Sequence, residues 1–251
     1  MQLAKSSGAP RAAAGARVAT WNVEWAKPGS KRGDRVTALL RGLDADILVV
    51  TEGFGGLLPD EGHVIDAGDD WGYTTIHGRR KTLAWSRHPW RDVRRIDKDA
   101  GKGRVVAGVT DTKAGPVKVI AVCIPWPDAH VRTGRRDAAR WDEHLECCTQ
   151  LAAFRRDLGA DPYIIAGDYN QRIPPKGQPQ KVAASLDAAL AGMTVWTRGE
   201  DLASPGLLID HIAGTDDLSA HDVVVWAGND EQGRLSDHDG VACIVGAAPP
   251  T

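Results

Sequence analysis

The chain has 251 residues, of which 42% are hydrophobic and 25% charged, a composition typical of a globular protein with a substantial core. Its 31 Lys and Arg residues against 33 Asp and Glu residues give a formal net charge of -2, which excludes a protein that coats polyanions through a strong positive field. No apolar run is long enough to cross a bilayer, so we expect no membrane partner.

The N-terminal segment differs in composition from the rest. The first 15 residues are rich in Ala, Gly and Ser and lack the apolar run of a secretory signal, so residues 1–15 are predicted to form a flexible tail. No linker rich in Ser, Pro or Gly divides the remainder, which favours a single domain over residues 16–247.

The cysteines indicate a cellular compartment. They are Cys123, Cys147, Cys148 and Cys243. Their positions fit neither the paired spacing of a zinc site nor the regular spacing of a disulfide framework. We therefore expect reduced and mostly buried thiols, which are typical of a cytoplasmic protein.

Short β-rich runs follow one another from residue 16 onward. They predict strands over 17–21, 46–51, 82–86, 104–110, 117–124, 163–166, 207–213, 222–226 and 241–245. Several are unbroken apolar runs, such as residues 47–50, as expected of strands that are covered on both faces. The strands are therefore predicted to lie inside a layered structure.

Two segments between strands have helical spacing of their apolar residues. One stripe is Val36, Leu39, Leu40 and Leu43, and the other is Trp141, Leu145, Cys148 and Ala152. His144 lies among charged residues on the second helix and is predicted to be exposed. Helices between some strands and short connections between others predict an α/β sandwich of mixed sheets with helices outside.

Polar residues repeatedly end or border the apolar strands. They are Asn22, Glu24, Glu52, Asp168, Asn170, Asp210, Asp237 and His238. One such residue alone usually caps a turn or a helix. The same chemistry at five separate strand ends favours one convergent site.

The residue types at these ends suit metal-assisted hydrolysis. Carboxylate and amide oxygens are ligands for Mg²⁺ or Mn²⁺, and Glu52 with Asn22 is the predicted pair. Asp168 is predicted to orient and deprotonate a water, while Asn170 donates to phosphoryl oxygens. The remaining pair completes the predicted site: His238 contacts the phosphate as imidazolium, and Asp210 raises its pKa and fixes its tautomer.

Five strings of residues in order resemble the endonuclease/exonuclease/phosphatase superfamily. They are TWNVEW at 20–25, VVTEGF at 49–54, IIAGDYNQR at 164–172, LIDHI at 208–212 and SDHDG at 236–240. The resemblance implies a four-layer α/β sandwich with two central mixed sheets flanked by helices, and a Mg²⁺-dependent phosphoesterase. It further implies that Asp237 lies near the metal, and Glu24 stands where some nucleases of the family carry an acidic residue close to the cation.

The central motif departs from the family pattern. In VIAVCIPWPDAHV at 119–131, Cys123 and Trp126 replace the Tyr or His and the Asn or His that relatives place against the phosphate. His130 is predicted to supply the missing contact, with an exposed loop histidine as the alternative. Trp126 is predicted to face the cleft. Arg79 at the rim and Arg172 after the Asn170 motif are predicted to bind substrate phosphates.

The substrate class stays open at this point. Arg clusters and nine Trp residues favour a nuclease acting on DNA or RNA, because Arg pairs with phosphates and exposed aromatic rings stack on bases. The net charge of -2 disfavours a duplex binder. One alternative is a phosphatase or phosphodiesterase of a small metabolite such as an inositol phosphate or a nucleotide, for which Arg172 is a candidate. Another is an inactive binding module, which would predict losses among the site residues.

Overall fold

The computed structural model describes residues 15–159, 162–200 and 208–249. All but the last residue of the predicted tail therefore lies outside the described residues. The strands are β1 Ala16–Asn22, β2 Ile47–Phe54, β3 His63–Asp66, β4 Arg79–Ser86, β5 Arg91–Arg95, β6 Val105–Thr112, β7 Gly115–Cys123, β8 Tyr163–Asp168, β9 Met193–Val195, β10 Asp210–Thr215, β11 Leu218–Trp226, β12 Asn229–Asp230, β13 Gly233–Arg234 and β14 Gly240–Ala247.

Three α-helices connect or follow these strands. They are α1 Lys31–Gly42, α2 Asp142–Leu158 and α3 Gln180–Ala189. Helix α1 begins after Ser30, whose Oγ accepts a hydrogen bond of 3.0 Å from the Gly33 N–H. Helix α2 ends at Gly159, which takes a left-handed φ of 83°. Short 3₁₀ turns lie at Gly55–Leu57 and Asp99–Gly101.

Two six-stranded sheets form the centre of the molecule. Sheet A has the order β11-β14-β1-β2-β4-β3, and sheet B has the order β5-β6-β7-β8-β10-β9. Each sheet has one central parallel pair, β1–β2 in sheet A and β7–β8 in sheet B, and all its other pairs are antiparallel. Helix α1 connects the first parallel pair and α2 the second.

Three apolar cores separate four layers. Residues such as Val49 in sheet A and Ile164 in sheet B meet in the core between the sheets. A second core joins Leu48 of sheet A to Leu40 of α1. The third joins sheet B to α2 and α3, for example at Leu151. The α/β sandwich of two mixed sheets flanked by helices is confirmed, and one domain over 16–247 stays a prediction.

The nine predicted strands correspond to β1, β2, β4, β6, β7, β8, β10, β11 and β14, with shifted ends. Strand β4 begins at Arg79 rather than at residue 82, because Arg79 and Arg80 still pair with Phe54 and Gly53 of β2. Residue 207, the predicted start of β10, lies outside the described residues. The short strands β3, β5, β9, β12 and β13 and helix α3 were not predicted. The β5 residues are all exposed, so the sequence shows no apolar alternation there.

The buried face of α2 also differs from the prediction. Of the predicted stripe only Cys148 is buried, and Trp141 precedes the helix. The buried residues are His144, Cys147, Cys148, Leu151 and Phe154. All four cysteines are free and buried, as expected. None of the helices in the described ranges is long and apolar enough to cross a membrane.

Candidate active site

The predicted residues meet where the two parallel pairs end. Asn22 ends β1 beside Thr51 of β2, and Cys123 ends β7 beside Asp168 of β8. The Asn22 side chain crosses from sheet A to sheet B, where its Nδ2 donates to Asp168 Oδ2 over 3.0 Å. Both side chains are buried. The carboxyl ends of the two parallel strand pairs therefore form one site.

The backbone at these strand ends is left-handed at several residues that are not glycine. Glu24, Trp25, Glu52 and Asn170 have φ values of 45°, 55°, 50° and 52°. Side chains with a Cβ rarely adopt this region, and residues that do so are concentrated at functional sites. A hydrogen bond of 2.7 Å from the Trp25 N–H to the Glu52 carbonyl joins two of these positions.

Gly167 allows the close approach of β7 and β8 beside Asp168. Gly167 lies inside β8 with a φ of 144°. A Cβ on Gly167 would lie 1.9 Å from the carbonyl oxygen of Val122. Only glycine therefore fits at this position without moving the backbone of β7.

Asp168 is held by amide donors in a fully buried position. Its Oδ2 accepts from Asn22 Nδ2 and from Asn170 Nδ2, each over 3.0 Å, and its Oδ1 accepts from the Asn170 backbone N–H over 2.8 Å. Burial raises the pKa of Asp168 to about 7, since loss of water outweighs the nearby His238 charge. Cys123 Sγ lies 3.9 Å from Asp168 Oδ2.

Asp210 and His238 form the second acidic element of the site. His238 Nδ1 lies 2.5 Å from Asp210 Oδ2. Burial alone would lower the pKa of His238, but the carboxylates of Asp210, Asp168 and Asp237 have the larger effect and raise it to about 10. The neighbouring carboxylates therefore favour the imidazolium form of His238.

The loop before β14 fixes the position of this histidine. Ser236 Oγ accepts from the His238 backbone N–H over 3.1 Å and donates to the Asn22 carbonyl over 2.6 Å. Ligand atoms of Asp168, Asp210 and His238 lie within 4.8 Å of one another, the one such group of three in the described part of the chain.

The predicted metal ligands each have a partner within the protein. Glu52 Oε1 lies 2.5 Å from Nζ of Lys81, a side chain that is only 9% exposed. Glu24 binds Arg234 over 2.5 Å, and Asn22 Oδ1 accepts from the Glu24 backbone N–H over 2.9 Å. Half of the Asp237 side chain is exposed, and its Oδ2 lies 3.7 Å from Arg234.

The donor atoms fit a hard divalent cation. Asn22, Glu24, Glu52 and Asp237 offer only amide and carboxylate oxygens, which suit Mg²⁺ or Mn²⁺ better than Zn²⁺. In addition, the buried Oδ1 of Asp210 has no hydrogen-bond partner among the described residues. A cation at Glu52 has to compete with the ammonium group of Lys81.

Aromatic and cationic side chains surround a cavity beside Glu52. The cavity has a volume of about 430 Å³ and is lined by residues that include Trp25, Trp71, Arg79, Lys81 and Trp126. The predicted substrate residues Trp126 and Arg79 are thus next to the candidate metal ligand. Trp126 is 41% exposed.

Arg172 lies in a second cavity, of about 290 Å³. Arg140, Asn170 and Lys176 also line this cavity. The Arg172 guanidinium donates to the Lys176 carbonyl over 3.1 Å. Arg172 and Arg79 therefore belong to different cavities, one beside Asn170 and one beside Glu52.

His130 is not brought to the cleft. Its side chain is fully buried, its Nδ1 accepts from the Arg135 N–H over 3.1 Å, and its Nε2 lies 3.3 Å from the Trp71 carbonyl. Its ring stacks on Tyr73. Burial, together with the charge of Arg135, lowers the pKa of His130. Since both ring nitrogens face protein groups, His130 supports the wall of the first cavity and does not replace the missing phosphate contact.

His144 is a contributor that the sequence did not assign to the site. The prediction that His144 is exposed is wrong: its Nδ1 donates to the Pro125 carbonyl over 2.8 Å, and its Nε2 accepts from Gln171 over 2.7 Å. Burial lowers its pKa to about 4. His144 thereby ties the loop before Trp126 to the residue after Asn170. In the sequence, only the nearby Cys147 and Cys148, which are expected to be buried, indicate that this face of α2 packs inside the protein.

A model of the endonuclease/exonuclease/phosphatase family matches residues 19–238. The chain belongs to this family. Its members are phosphoesterases that depend on divalent metal ions, so phosphoester hydrolysis is the reaction class that membership supports. None of the curated proteins matches this chain in the sequence comparison.

Solved structures share the fold at low sequence identity. An AP endonuclease from Archaeoglobus fulgidus is 17% identical with a TM-score of 0.65, over 91% of this chain and 98% of that one. The human Nocturnin catalytic domain is 14% identical with a TM-score of 0.68, over 93% and 94%. Staphylococcus aureus beta toxin with bound magnesium ions is 13% identical with a TM-score of 0.62, over 92% and 99%. At these identities the likeness shows the fold alone.

Proposed function

We propose that this chain is a Mg²⁺-dependent phosphodiesterase that cleaves nucleic acid, DNA or RNA, by attack of water on phosphorus. The observation that carries the proposal is the convergence of Asp168 and Asp210 of sheet B with His238 from the loop before β14 of sheet A, across one hydrogen bond from Asn22. These groups provide a base and a cation for the phosphate in one place.

Asp168 acts as the general base in this proposal. A base is most effective when its pKa lies near the working pH, and the pKa of Asp168 is about 7. The water oxygen forms a bond to phosphorus, its proton passes to Asp168, and the bond from phosphorus to the leaving oxygen breaks. Asn22 and Asn170 orient the carboxylate through their amide groups.

His238 binds the phosphate as an imidazolium. In the imidazolium both ring nitrogens carry a proton, so Nδ1 donates to Asp210 and Nε2 can donate to a phosphoryl oxygen. Charge that develops on those oxygens during attack strengthens this contact. Asn22, Glu24, Glu52 and Asp237 are the residues that would hold Mg²⁺, which when bound neutralises phosphate charge and stabilises the leaving oxygen.

The two cavities support a phosphodiester with a group on each side of the reacting phosphorus. One cavity carries Arg79 and Lys81 beside Glu52, and the other carries Arg140 and Arg172 beside Asn170. A nucleic-acid strand has further phosphates on both sides of the scissile bond. A small phosphorylated molecule such as an inositol phosphate is the second candidate, and the cluster of Arg140, Arg172 and Lys176 in one cavity favours it.

The test is hydrolysis by the full chain with Mg²⁺ or Mn²⁺. The panel contains single-stranded and duplex DNA, RNA, an abasic-site duplex, inositol phosphates and mononucleotides. Glu52→Gln and His238→Gln remove the proposed functions, and Glu61→Gln and His221→Gln are the matched controls, because both control side chains are exposed.

We expect metal-dependent cleavage of an oligonucleotide. Glu52→Gln and His238→Gln are expected to lower the rate of this cleavage by at least about 10²-fold, whereas the two control variants should keep the full rate. Cleavage of inositol phosphates or mononucleotides alone would select the second candidate. Absence of metal-dependent hydrolysis across the panel would contradict both candidate functions and support a binding role.

A cytoplasmic location is likewise proposed, on the basis of the four free thiols.

A further inference from the structure

The cavity beside Glu52, which we call the aromatic cavity, has the walls of a site for a flat ring. Trp25 and Trp71 stack with ring centroids 5.7 Å apart and planes 18° from parallel. Trp126 lines the same cavity and stands between Pro125 and Pro127, which restrict its backbone. At 41% exposure Trp126 keeps much of its surface available to a ligand.

Hydrogen bonds and ring contacts inside the protein hold these walls. His130 stacks on Tyr73, another lining residue, with centroids 4.3 Å apart, and its Nε2 lies 3.3 Å from the Trp71 carbonyl. The Tyr73 hydroxyl accepts from the His130 backbone N–H over 3.0 Å. On the Trp126 side, His144 binds the Pro125 carbonyl. The rings are therefore positioned before any ligand arrives, which lowers the entropy cost of binding.

Positive charge lies at the end of the cavity that contains Glu52. The Arg79 guanidinium is 4.7 Å and the Lys81 ammonium 5.3 Å from the Trp25 ring centroid. The volume of about 430 Å³ is within the usual range for small-ligand pockets. A ligand that joins a flat ring to a phosphate matches this arrangement of rings and cations.

We propose that the aromatic cavity binds the unpaired base of the nucleotide next to the scissile phosphate. The proposal rests on the proposed function, because it takes the reacting phosphate to lie beside Glu52. Stacking accepts any base, whereas a base inside a duplex is covered by its neighbours and cannot enter. The cavity thus selects single strands over duplexes and does so with little preference for sequence.

Binding without catalysis tests the proposal directly. The probe is a hexadeoxyadenylate with a 3′ fluorescein label, measured by anisotropy on the full chain without divalent metal. The comparison probe has the same phosphates but tetrahydrofuran in place of every base. Stacking contributes about 1–3 kcal/mol per base, so we expect the base-bearing probe to bind about fivefold to 150-fold more tightly.

Variants at Trp126 assign the difference to the cavity. Trp126→Leu is expected to reduce the affinity ratio of the two probes to near one, and Trp126→Phe to restore most of it. Trp90→Leu is the matched control, because Trp90 follows the far end of β4 and binds the His63 carbonyl. Annealing the probe to its complement is expected to remove the preference in the unmodified chain.

The outcomes separate this proposal from the proposed function. Equal affinity for the two probes, or a ratio that Trp126→Leu leaves unchanged, would overturn the base site even if both oligonucleotides are hydrolysed with Mn²⁺. An affinity ratio that depends on Trp126 supports the base site even if neither probe is hydrolysed. Absence of hydrolysis would contradict only the proposed phosphodiesterase activity.

Discussion

The parallel pairs β1–β2 and β7–β8 have the same connection through a helix but end in different surroundings. At the end of sheet A, Glu52 is partly exposed, is paired with Lys81 and lines the aromatic cavity. At the end of sheet B, Asp168 is buried among amide donors with a pKa of about 7.

The difference shows how environment divides roles between two carboxylates. A partly exposed carboxylate whose partner is an ammonium group, as at Glu52, suits the binding of a metal ion that can replace that partner. A buried carboxylate with a raised pKa suits the transfer of a proton near neutral pH. Topology alone does not distinguish the two ends, so the comparison is best tested by changing one surrounding group at a time.

The largest expected effect is on catalysis at the sheet B end. Asp168→Asn keeps the size of the side chain but removes the proposed base, so the rate of oligonucleotide hydrolysis is expected to fall by about 10²–10⁴. Asp187→Asn, on the exposed face of α3, is the control. A fall of less than about tenfold at saturating metal would contradict the assignment of Asp168 as base.

Gly167→Ala is expected to destabilise the fold by about 3–5 kcal/mol, because its Cβ would meet the Val122 carbonyl oxygen at 1.9 Å. The sheet A counterpart is Gly53→Ala. Its nearest neighbours are side-chain methyl groups of Val50 and Val23, at 3.0 Å and 3.3 Å, so a cost of about 1 kcal/mol is expected. Urea unfolding measures both. Equal costs would show that β7 moves more easily than the contact implies.

The two buried histidines on the sheet B side, His144 and His211, are expected to lower the free energy of unfolding in acid, whereas the raised pKa of Asp168 acts in the opposite direction. Burial lowers the pKa values of His144 and His211 from 6.5 to about 4. Between these pH values the two histidines bind more protons in the unfolded chain than in the folded chain, so their contribution to the free energy of unfolding falls as pH decreases. The loss is roughly 3 kcal/mol per histidine at the acid end.

Hydrogen exchange at pH 7 and pH 5 locates this loss. We expect α2, which carries His144, to lose more protection than β1 and β2 of sheet A. His144→Gln should flatten the pH dependence of the urea midpoint, whereas His221→Gln, at an exposed position, should not. A uniform loss over both sheets would argue against a local origin.

The smallest expected effect is at the sheet A end. Lys81→Met removes the ammonium group that binds Glu52, so Mn²⁺ is expected to bind about tenfold more tightly in isothermal calorimetry. Lys102→Met is the control, because Lys102 makes an exposed pair with Asp70. Unchanged or weaker Mn²⁺ binding would show that Lys81 does not compete with the metal.

The sequence predicted the sandwich and the convergence of its strand ends, because both follow from local patterns. Apolar runs such as residues 47–50 are typical of strands that are covered on both faces, and polar residues after such strands lie at the sheet ends. The exposed strand β5 has no such pattern and forms because its backbone pairs with β6.

Contacts across the fold could not be read from the sequence. His130 was judged by its place in the central motif and His144 by its charged neighbours, yet both are buried by residues distant in sequence, such as Trp71 and Gln171. The pairing of Glu52 with Lys81 likewise joins β2 to β4. Burial and partner choice of titratable groups depend on the assembled layers, which local spacing does not describe.

The hydrogen bond between Asn22 and Asp168 makes the site a gauge of how the two sheets are aligned. A slip of one sheet past the other by a single residue, about 3.3 Å, would break this bond of 3.0 Å and separate Glu52 from Asp168. In the proposed mechanism Glu52 of sheet A and Asp168 of sheet B act together, so a chain in which only one sheet has formed would lack one of them. The proposed site is therefore complete only when the two sheets of the sandwich have packed against each other.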